Sequence, residues 1–185
     1  MLRYLIAIPL VIFLVLFSPS CSLGLPRDLP SYPRYDSLSF FLHSLPDITK
    51  FNTVLSFLFT YQSEVGDYWK NPEEFFRDRG GDCEDFAIFV AYVFKRKGWA
   101  YQSYVVIVET PLGLVHALAV AEGKRAFYIY DVQTPYVFPK DGTPFLDRIK
   151  TLGYHPIKVY TIRITAPKDD DRPQGCSLEG GCRIN

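Results

Sequence analysis

Apolar residues recur at helical spacing in the first half of the chain. The clearest case runs over residues 83–97, where the apolar positions share one helix face: Phe86, Phe89, Val90, Val93 and Phe94. Asp82 precedes this helix as an N-cap, and Gly98 follows its basic last turn. Two helices are predicted before it, one of about fifteen residues from Asp47 and a short one from Asn71-Pro72 to Gly80.

After Gly98 the pattern changes to extended structure. β-branched and aromatic runs predict strands over residues 104–108, 114–121 and 126–132, and Gly-containing turns separate them. A short helix over residues 145–152 and an alternating strand over residues 157–164 follow. Helices followed by strands joined through tight turns predict an α+β fold, in which an antiparallel β-sheet packs on the helix that begins at Cys83.

The N-terminal end differs from this pattern. Residues 5–17 are an almost unbroken apolar run, shorter than the roughly twenty residues of a membrane-spanning helix and typical of an exported protein's signal peptide. Small residues before Cys21 resemble a bacterial lipoprotein cleavage site. We therefore predict a signal peptide or lipoprotein signal over residues 1–21, with lipid on Cys21; ordinary cleavage and an uncleaved anchor are the alternatives.

The remaining domain limits follow from composition. Residues 22–45 are proline-rich and are predicted to be a linker, residues 46–166 the folded domain, and residues 167–185 a polar tail. Export predicts a periplasmic or cell-envelope location, with membrane contact through lipid or the N-terminal segment. The 20 basic and 20 acidic residues give a formal net charge of zero, which excludes nucleic acid as an expected partner.

Export also changes what the four cysteines indicate. Disulfides persist outside the cytoplasm, and Cys176 and Cys182 flank a short flexible turn, so we predict that they pair. With Cys21 assigned to lipid, Cys83 is left as a free thiol. A helix N-terminus stabilises a thiolate, which points to a nucleophile, although the acids beside Cys83 oppose the thiolate and require a cationic partner.

His116 is the best candidate for that partner. It lies inside the strand predicted over residues 114–121, and Asp131 ends the next strand. If the two strands pair as a hairpin, Asp131 lies near the start of the His116 strand. Cys83, His116 and Asp131 then supply a nucleophile, a general base and an orienting group, with imidazolium stabilising the thiolate. The alternative is a buried core histidine and an ordinary turn acid.

These residues resemble the transglutaminase-like superfamily, in particular the bacterial transglutaminase-like cysteine peptidases. The resemblance rests on the sequence Gly-Asp-Cys-Glu-Asp around Cys83, on His116-Ala117 and Tyr130-Asp131, and on an upstream Trp-x-x-Pro stretch at Trp69. It implies a papain-like core and cysteine-dependent acyl transfer on amide bonds by a Cys83–His116–Asp131 triad. The expected activity is that of a peptidase or amidase acting on a cell-envelope protein or peptide.

The resemblance also implies further site residues. An oxyanion donor lies upstream of the cysteine in the family, and Gln62 and Trp69 are the candidates, with a packing role as the alternative for Trp69. No cofactor is required, but one subgroup, the periplasmic adhesin-clipping peptidases, binds calcium through acids beside the nucleophile, which makes Asp82 and Glu84 candidate ligands. The alternative is that Asp82 caps the helix and Glu84 lies in its first turn.

Other interpretations stay open. One is a non-catalytic, envelope-anchored binding or scaffold domain with the same fold, and another is a transglutaminase that transfers amines. A zinc or redox protein is poorly supported because the chain has no Cys-x-x-Cys sequence. Asp85 is expected to bind a neighbouring backbone or basic group. Substrate choice is expected to depend on loops at residues 111–113 and 133–144.

Overall fold

The structure is a computed structural model that describes residues 35–63 and 68–162. The predicted signal over residues 1–21 with Cys21, and the tail with Cys176 and Cys182, lie outside these ranges. Within the described ranges, none of the helices combines the length and hydropathy needed to cross a membrane.

Five helices are described, and Ser37, Asp47 and Asn71 cap the first three of them. They are α1 (Leu38–Ser44), α2 (Ile48–Leu58), α3 (Pro72–Asp78), α4 (Cys83–Arg96) and α5 (Phe145–Thr151). Asp47 begins α2 by accepting a hydrogen bond from the Lys50 amide at 2.8 Å. Asn71 begins α3, with Pro72 in its first turn, through a capping box with Glu74. The predicted starts of these two helices and of α4 are therefore confirmed.

The strands form one antiparallel sheet and one small parallel pair. The sheet contains β3 (Gln102–Glu109), β4 (Val115–Glu122), β5 (Ala126–Asp131), β6 (Thr134–Pro139) and β7 (His155–Thr161) in the order β6-β5-β4-β3-β7. The pair consists of β1 (Thr60–Tyr61) and β2 (Gly80–Gly81). The predicted α+β class with an antiparallel sheet is confirmed. Strand β6 occupies a segment that we expected to be a loop.

Helix α4 lies at the centre of the domain, buried along most of its length. It packs on the face of β4 that presents Ala117, Ala119 and Ala121, whose small side chains let the helix approach the sheet closely. The opposite face of the sheet carries larger residues, among them Val106, Leu118, Val120 and Ile129, which pack with Ile149 of α5. The sheet thus has one helical layer on each face.

The predicted linker over residues 22–45 is wrong in its last part. Residues 38–44 form α1, and Phe41 is fully buried with ring contacts to Phe59, Phe76 and Phe89 at 5.9, 5.3 and 6.0 Å. Leu45 is buried as well. The prolines of this region flank the helix at positions 33 and 46 and do not interrupt it. Residues 35–45 therefore belong to the same unit as the domain predicted from residue 46.

Candidate active site

Two glycines present Cys83 at the start of α4. Helix α3 ends at Arg79 in a left-handed conformation, and the next two residues, Gly80 and Gly81, pair with β1. A Cβ on Gly80 would lie 2.0 Å from the Thr60 carbonyl oxygen, and a Cβ on Gly81 would lie 2.1 Å from Oδ2 of Asp85. Neither position has room for a side chain, so the backbone approaches its neighbours closely just before the cysteine.

Asp85 fixes this turn from inside the core. Its carboxylate is fully buried, and it accepts hydrogen bonds from the amides of Lys70 at 2.6 Å and Asp82 at 3.3 Å. The Lys70 ammonium lies 3.9 Å from Asp85 and donates to the Gly80 carbonyl at 3.2 Å. The expectation that Asp85 binds a backbone group and a basic group is confirmed, and these bonds hold the N-terminus of α4 against the segment before α3.

The Cys83 thiol is held in its neutral form. It is half-buried, donates to Oε2 of Glu84 at 2.8 Å, and accepts a hydrogen bond from the backbone N–H of Ala117. Burial raises the pKa of Cys83 to about 12, and the carboxylates of Glu84 and Asp82 act in the same direction, while the Ala117 bond opposes them. The thiolate expected from the helix N-terminus is therefore not the resting state.

His116 and Asp131 form a close pair. Nε2 of His116 lies 2.7 Å from Oδ1 of Asp131, and Asp131 pairs across the sheet with Leu118, two residues after His116. The predicted proximity of Asp131 to the start of the His116 strand is thus confirmed. The hydrogen bond with His116 lowers the pKa of Asp131, so the ionised carboxylate accepts a hydrogen bond from Nε2–H. Nδ1 is then the basic nitrogen of the neutral ring.

His116 on β4 and Asp131 on β5 meet at one end of the sheet, and the Cys83 sulfur contacts the backbone beside His116. The backbone N–H that contacts the Cys83 sulfur belongs to Ala117, the residue directly after His116. Asp131 ends the neighbouring strand β5. A thiol, an imidazole and an ionised carboxylate in this order are the parts of nucleophilic acyl transfer.

The two oxyanion candidates lie in different surroundings. Gln62 is exposed, and its backbone N–H donates to the Gly81 carbonyl at 2.8 Å. Nε2 of its side chain would lie 3.1 Å from a Cβ on Gly80. Trp69 is buried in the core with its ring edge against Tyr160, the centroids 5.5 Å apart. Gln62 thus borders the loop that leads into Cys83, whereas Trp69 has a packing role.

The sequence pattern of a family described as a transglutaminase-like domain matches residues 40–160 of this chain. The chain belongs to the transglutaminase-like domain family. This match runs from within α1 to the penultimate residue of β7, so the family expected from the residues around Cys83 is confirmed.

Curated proteins and solved structures were also compared with this chain, and only solved structures are similar to it. No curated protein matches this transglutaminase-like chain. Three structures of Legionella pneumophila LapG are similar in fold. The first has 24% identity and a TM-score of 0.46, covering 68% of this chain and 70% of LapG. The calcium-bound form has 22% identity and a TM-score of 0.46 over 78% and 77% of the two chains. The EGTA-treated form has 25% identity and a TM-score of 0.46 over 66% and 67%.

The predicted calcium ligands Asp82 and Glu84 lie on either side of Cys83 at the start of α4. Asp82 is the N-cap residue of α4, and Glu84 in its first turn accepts a hydrogen bond from the Cys83 thiol. Among residues 35–63 and 68–162, no three histidine, cysteine or acidic side chains cluster so that they could hold a metal. Calcium takes about six to eight oxygen ligands, which include backbone carbonyls and water, so Asp82 and Glu84 would supply only part of a calcium site.

The structure adds site residues that the sequence did not indicate. The hydroxyl of Tyr154, which follows α5, donates to Oδ2 of Asp131 at 2.6 Å. Gln133 donates through Nε2 to the Phe59 carbonyl at 2.6 Å, which ties the turn after Asp131 to the end of α2. Val132, which lies between Asp131 and Gln133, has a positive φ of 53°, a conformation that β-branched residues rarely adopt. No local pattern marks Tyr154 or Gln133, because their partners are distant in sequence.

Proposed function

We propose that this domain is a cysteine-dependent peptidase or amidase that hydrolyses an amide bond of a cell-envelope protein or peptide. One observation carries the proposal. The His116–Asp131 pair at 2.7 Å lies next along β4 to the Ala117 amide that contacts the Cys83 sulfur. Membership of the transglutaminase-like family supports the same chemistry. Export, membrane contact and the envelope substrate remain predictions from the sequence.

Catalysis would begin with proton transfer from the neutral thiol. Asp131 holds Nε2–H of His116, so Nδ1 accepts the Cys83 proton while the sulfur attacks the amide carbonyl carbon. The tetrahedral intermediate then collapses to a thioester as Nδ1–H gives its proton to the leaving amine. Water, deprotonated by His116, attacks the thioester, and the carboxylic acid product leaves as the proton returns to the Cys83 sulfur.

The oxyanion of each tetrahedral intermediate needs hydrogen-bond donors. The backbone N–H of Cys83 is in the first turn of α4, where amides have no partner within the helix. The Gln62 side chain beside Gly80 supplies the second donor in this proposal. Such donors stabilise the charge that develops on the carbonyl oxygen, which lowers the barrier of both acyl-transfer steps.

A second function is favoured by one observation. The pKa of Cys83 near 12 and its bond to Glu84 describe an unreactive thiol. This state would suit a non-catalytic binding or scaffold domain that keeps the family fold. The two proposals differ in whether His116 activates the thiol, and a chemical probe of Cys83 separates them.

The deciding experiment is alkylation of the full-length protein with iodoacetamide at roughly pH 5 to 9, the range over which an activated thiol differs from an ordinary one. Labelling at Cys83 is followed by mass spectrometry in the wild type, His116→Ala and the control His155→Ala, whose histidine is exposed on β7. We expect the wild type and His155→Ala to react alike and His116→Ala to react several-fold more slowly near neutral pH. Equal rates in all three proteins would instead favour the binding domain.

Substrate assays complete the assignment. A peptidase or amidase releases a free amine and a carboxylic acid from envelope peptides, and Cys83→Ala abolishes this release. Incorporation of a labelled amine into a glutamine-bearing protein would instead identify an amine-transferring transglutaminase, because only the nucleophile that reaches the thioester differs.

Calcium dependence is a separate prediction from the family resemblance. The calcium-bound and EGTA-treated forms of LapG describe that protein. For this chain, a site at Asp82 and Glu84 requires that calcium raise the Tm of the wild type more than that of Asp82→Asn. An equal Tm in calcium and in EGTA would show that the described side chains bind no calcium.

A further inference from the structure

Tyr154 completes the hydrogen bonding of the Asp131 carboxylate. His116 binds Oδ1 at 2.7 Å, and the Tyr154 hydroxyl donates to Oδ2 at 2.6 Å. The tyrosine ring also lies beside the imidazole, with the ring centroids 6.1 Å apart and the planes tilted by 34°. One tyrosine therefore touches both the orienting carboxylate and the ring that this carboxylate orients.

Helix α5 packs on the face of the sheet that carries Leu118, the cross-strand partner of Asp131, and leads directly into Tyr154. Ile149 anchors α5 in the core, and the amide of Tyr154 donates to the Ile149 carbonyl at 3.4 Å. Gly153 makes the turn between helix and tyrosine with a φ of 88°, a left-handed conformation that favours glycine. The packing of α5 on the sheet thus fixes the direction from which the hydroxyl reaches Asp131.

The hydrogen bond from Tyr154 to Asp131 matters because water can reach the His116–Asp131 pair. The side chains of His116 and Asp131 are 18% and 25% exposed. A carboxylate held at one oxygen can rotate about its terminal torsion, and water competes for the other oxygen. Burial raises the pKa of Tyr154, and its bond to Asp131 adds to this, so the hydroxyl stays a donor while the lowered pKa of Asp131 keeps that group an acceptor.

We propose that Tyr154 is a positioning residue that acts through Asp131. By holding Oδ2, it keeps Oδ1 directed at Nε2–H of His116 and so keeps Nδ1 available as the base. Its effect on turnover rests on the proposed function, whereas its effect on the His116 tautomer does not. Tyr154 touches neither Cys83 nor a substrate in this role.

The test compares Tyr154→Phe with Tyr104→Phe in the full-length protein. Tyr104 borders the same apolar cluster, and its hydroxyl also faces a carboxylate, that of Glu122 at 3.4 Å. Both variants lose one hydroxyl from the same face of the sheet. ¹⁵N NMR of the histidine rings reports the His116 tautomer, and kcat and KM for the amide substrate report turnover. Asp131→Ala serves as the background for a double-mutant cycle.

We expect the wild type and Tyr104→Phe to hold His116 as the Nε2–H tautomer and Tyr154→Phe to give a mixture. We expect kcat to fall roughly 10-fold in Tyr154→Phe with KM unchanged, since small displacements of a catalytic group lower rates by up to about 100-fold. In the Asp131→Ala background, Tyr154→Phe should have no further effect. This non-additivity distinguishes positioning through Asp131 from a general loss of stability.

Two results would overturn the proposal. One is a wild type in which His116 is not the Nε2–H tautomer, a measurement that does not depend on whether any variant folds. The other is a Tyr154→Phe protein in which the His116 tautomer is unchanged, or in which kcat falls by the same factor in the wild-type and Asp131→Ala backgrounds. A wild type with the expected tautomer but no turnover would reject the peptidase and leave the role of Tyr154 intact.

Discussion

The side chains of His116 and Asp131 meet at 2.7 Å although fifteen residues separate them in the chain. Antiparallel pairing of β4 with β5 sets Asp131 opposite Leu118, so the imidazole and the carboxylate lie on the same face of the sheet. Their contact depends on the register of this hairpin, because a slip by one residue would turn Asp131 to the other face.

Replacing Asp131 by Asn should lower kcat by about 100-fold or more, because an amide no longer fixes the Nε2–H tautomer of His116. KM should change little, since Asp131 does not contact substrate in the proposed mechanism. Steady-state kinetics on the amide substrate measure both values. Asp141→Asn is the matched control, since Asp141 is a surface carboxylate paired with Arg148. Equal kcat values for Asp131→Asn and wild type would exclude Asp131 from the triad.

Replacing Glu84 by Gln should increase the rate at which iodoacetamide labels Cys83 near neutral pH. The Glu84 carboxylate accepts a hydrogen bond from the thiol and raises the pKa of Cys83, so removing its charge lowers that pKa and increases the thiolate fraction. Glu73→Gln is the control, because Glu73 occupies the first turn of α3 and is exposed. A labelling rate that is the same in both variants would show that Glu84 does not restrain the thiol.

The raised pKa of Cys83 also predicts a pH dependence of stability. The folded state holds the thiol proton up to about pH 12, whereas the reference value for the thiol is 9.0. The contribution of the neutral Cys83 thiol to the free energy of unfolding is therefore fully present below pH 9 and is lost as the pH rises from 9 towards 12. Urea unfolding at several pH values should show a steeper loss in wild type than in Cys83→Ala. Parallel curves would mean that folding does not shift the thiol pKa.

Replacing Asp85 by Ala should destabilise the fold by about 3–5 kcal/mol, because the Lys70 ammonium would lose its buried counter-ion. The amides of Lys70 and Asp82 would also lose their acceptor. Asp78→Ala is the control, since Asp78 lies 3.8 Å from the same ammonium but is 36% exposed, and such a pair contributes about 0–1 kcal/mol. Chemical denaturation compares the two variants, and equal losses would contradict a central role for Asp85.

Helix α1 offers a test of where the domain begins. Phe41→Ala should cost about 3–5 kcal/mol, because it removes a fully buried ring from the core. The neighbouring Phe40 is 51% exposed, and its replacement by Ala should change the free energy of unfolding by less than about 1 kcal/mol. Denaturation of both variants is the measurement. If Phe41→Ala were as stable as Phe40→Ala, α1 would not belong to the folded domain.

Local sequence signals predicted most of the elements because the interactions behind them are local. Asp47 and Asn71 accept hydrogen bonds from amides three residues later, so a short stretch of sequence contains the whole cap. In β7 the buried Tyr160 lies between the exposed residues Val159 and Thr161, as the pattern at this end of the strand predicted.

Two elements were missed because their stability comes from tertiary contacts. Helix α1 has seven residues, and the burial of Phe41 and Leu45 holds it in place. Strand β6 contains Pro135 and Pro139, which argue against a strand. It is an edge strand of the sheet, where a residue that cannot donate a hydrogen bond is tolerated.

The sequence by itself determined the helices around the cysteine, four of the five antiparallel strands, and the order Cys83, His116, Asp131 that indicates the transglutaminase-like family. These features follow from residue spacing and from short-range hydrogen bonds. Only the tertiary structure decided that Tyr154 binds Asp131 and that burial keeps the Cys83 thiol protonated. The Tyr154–Asp131 bond and the protonated thiol depend on groups that the fold brings together from distant parts of the chain and on the exclusion of water around these groups. Neither feature leaves a local pattern in the sequence.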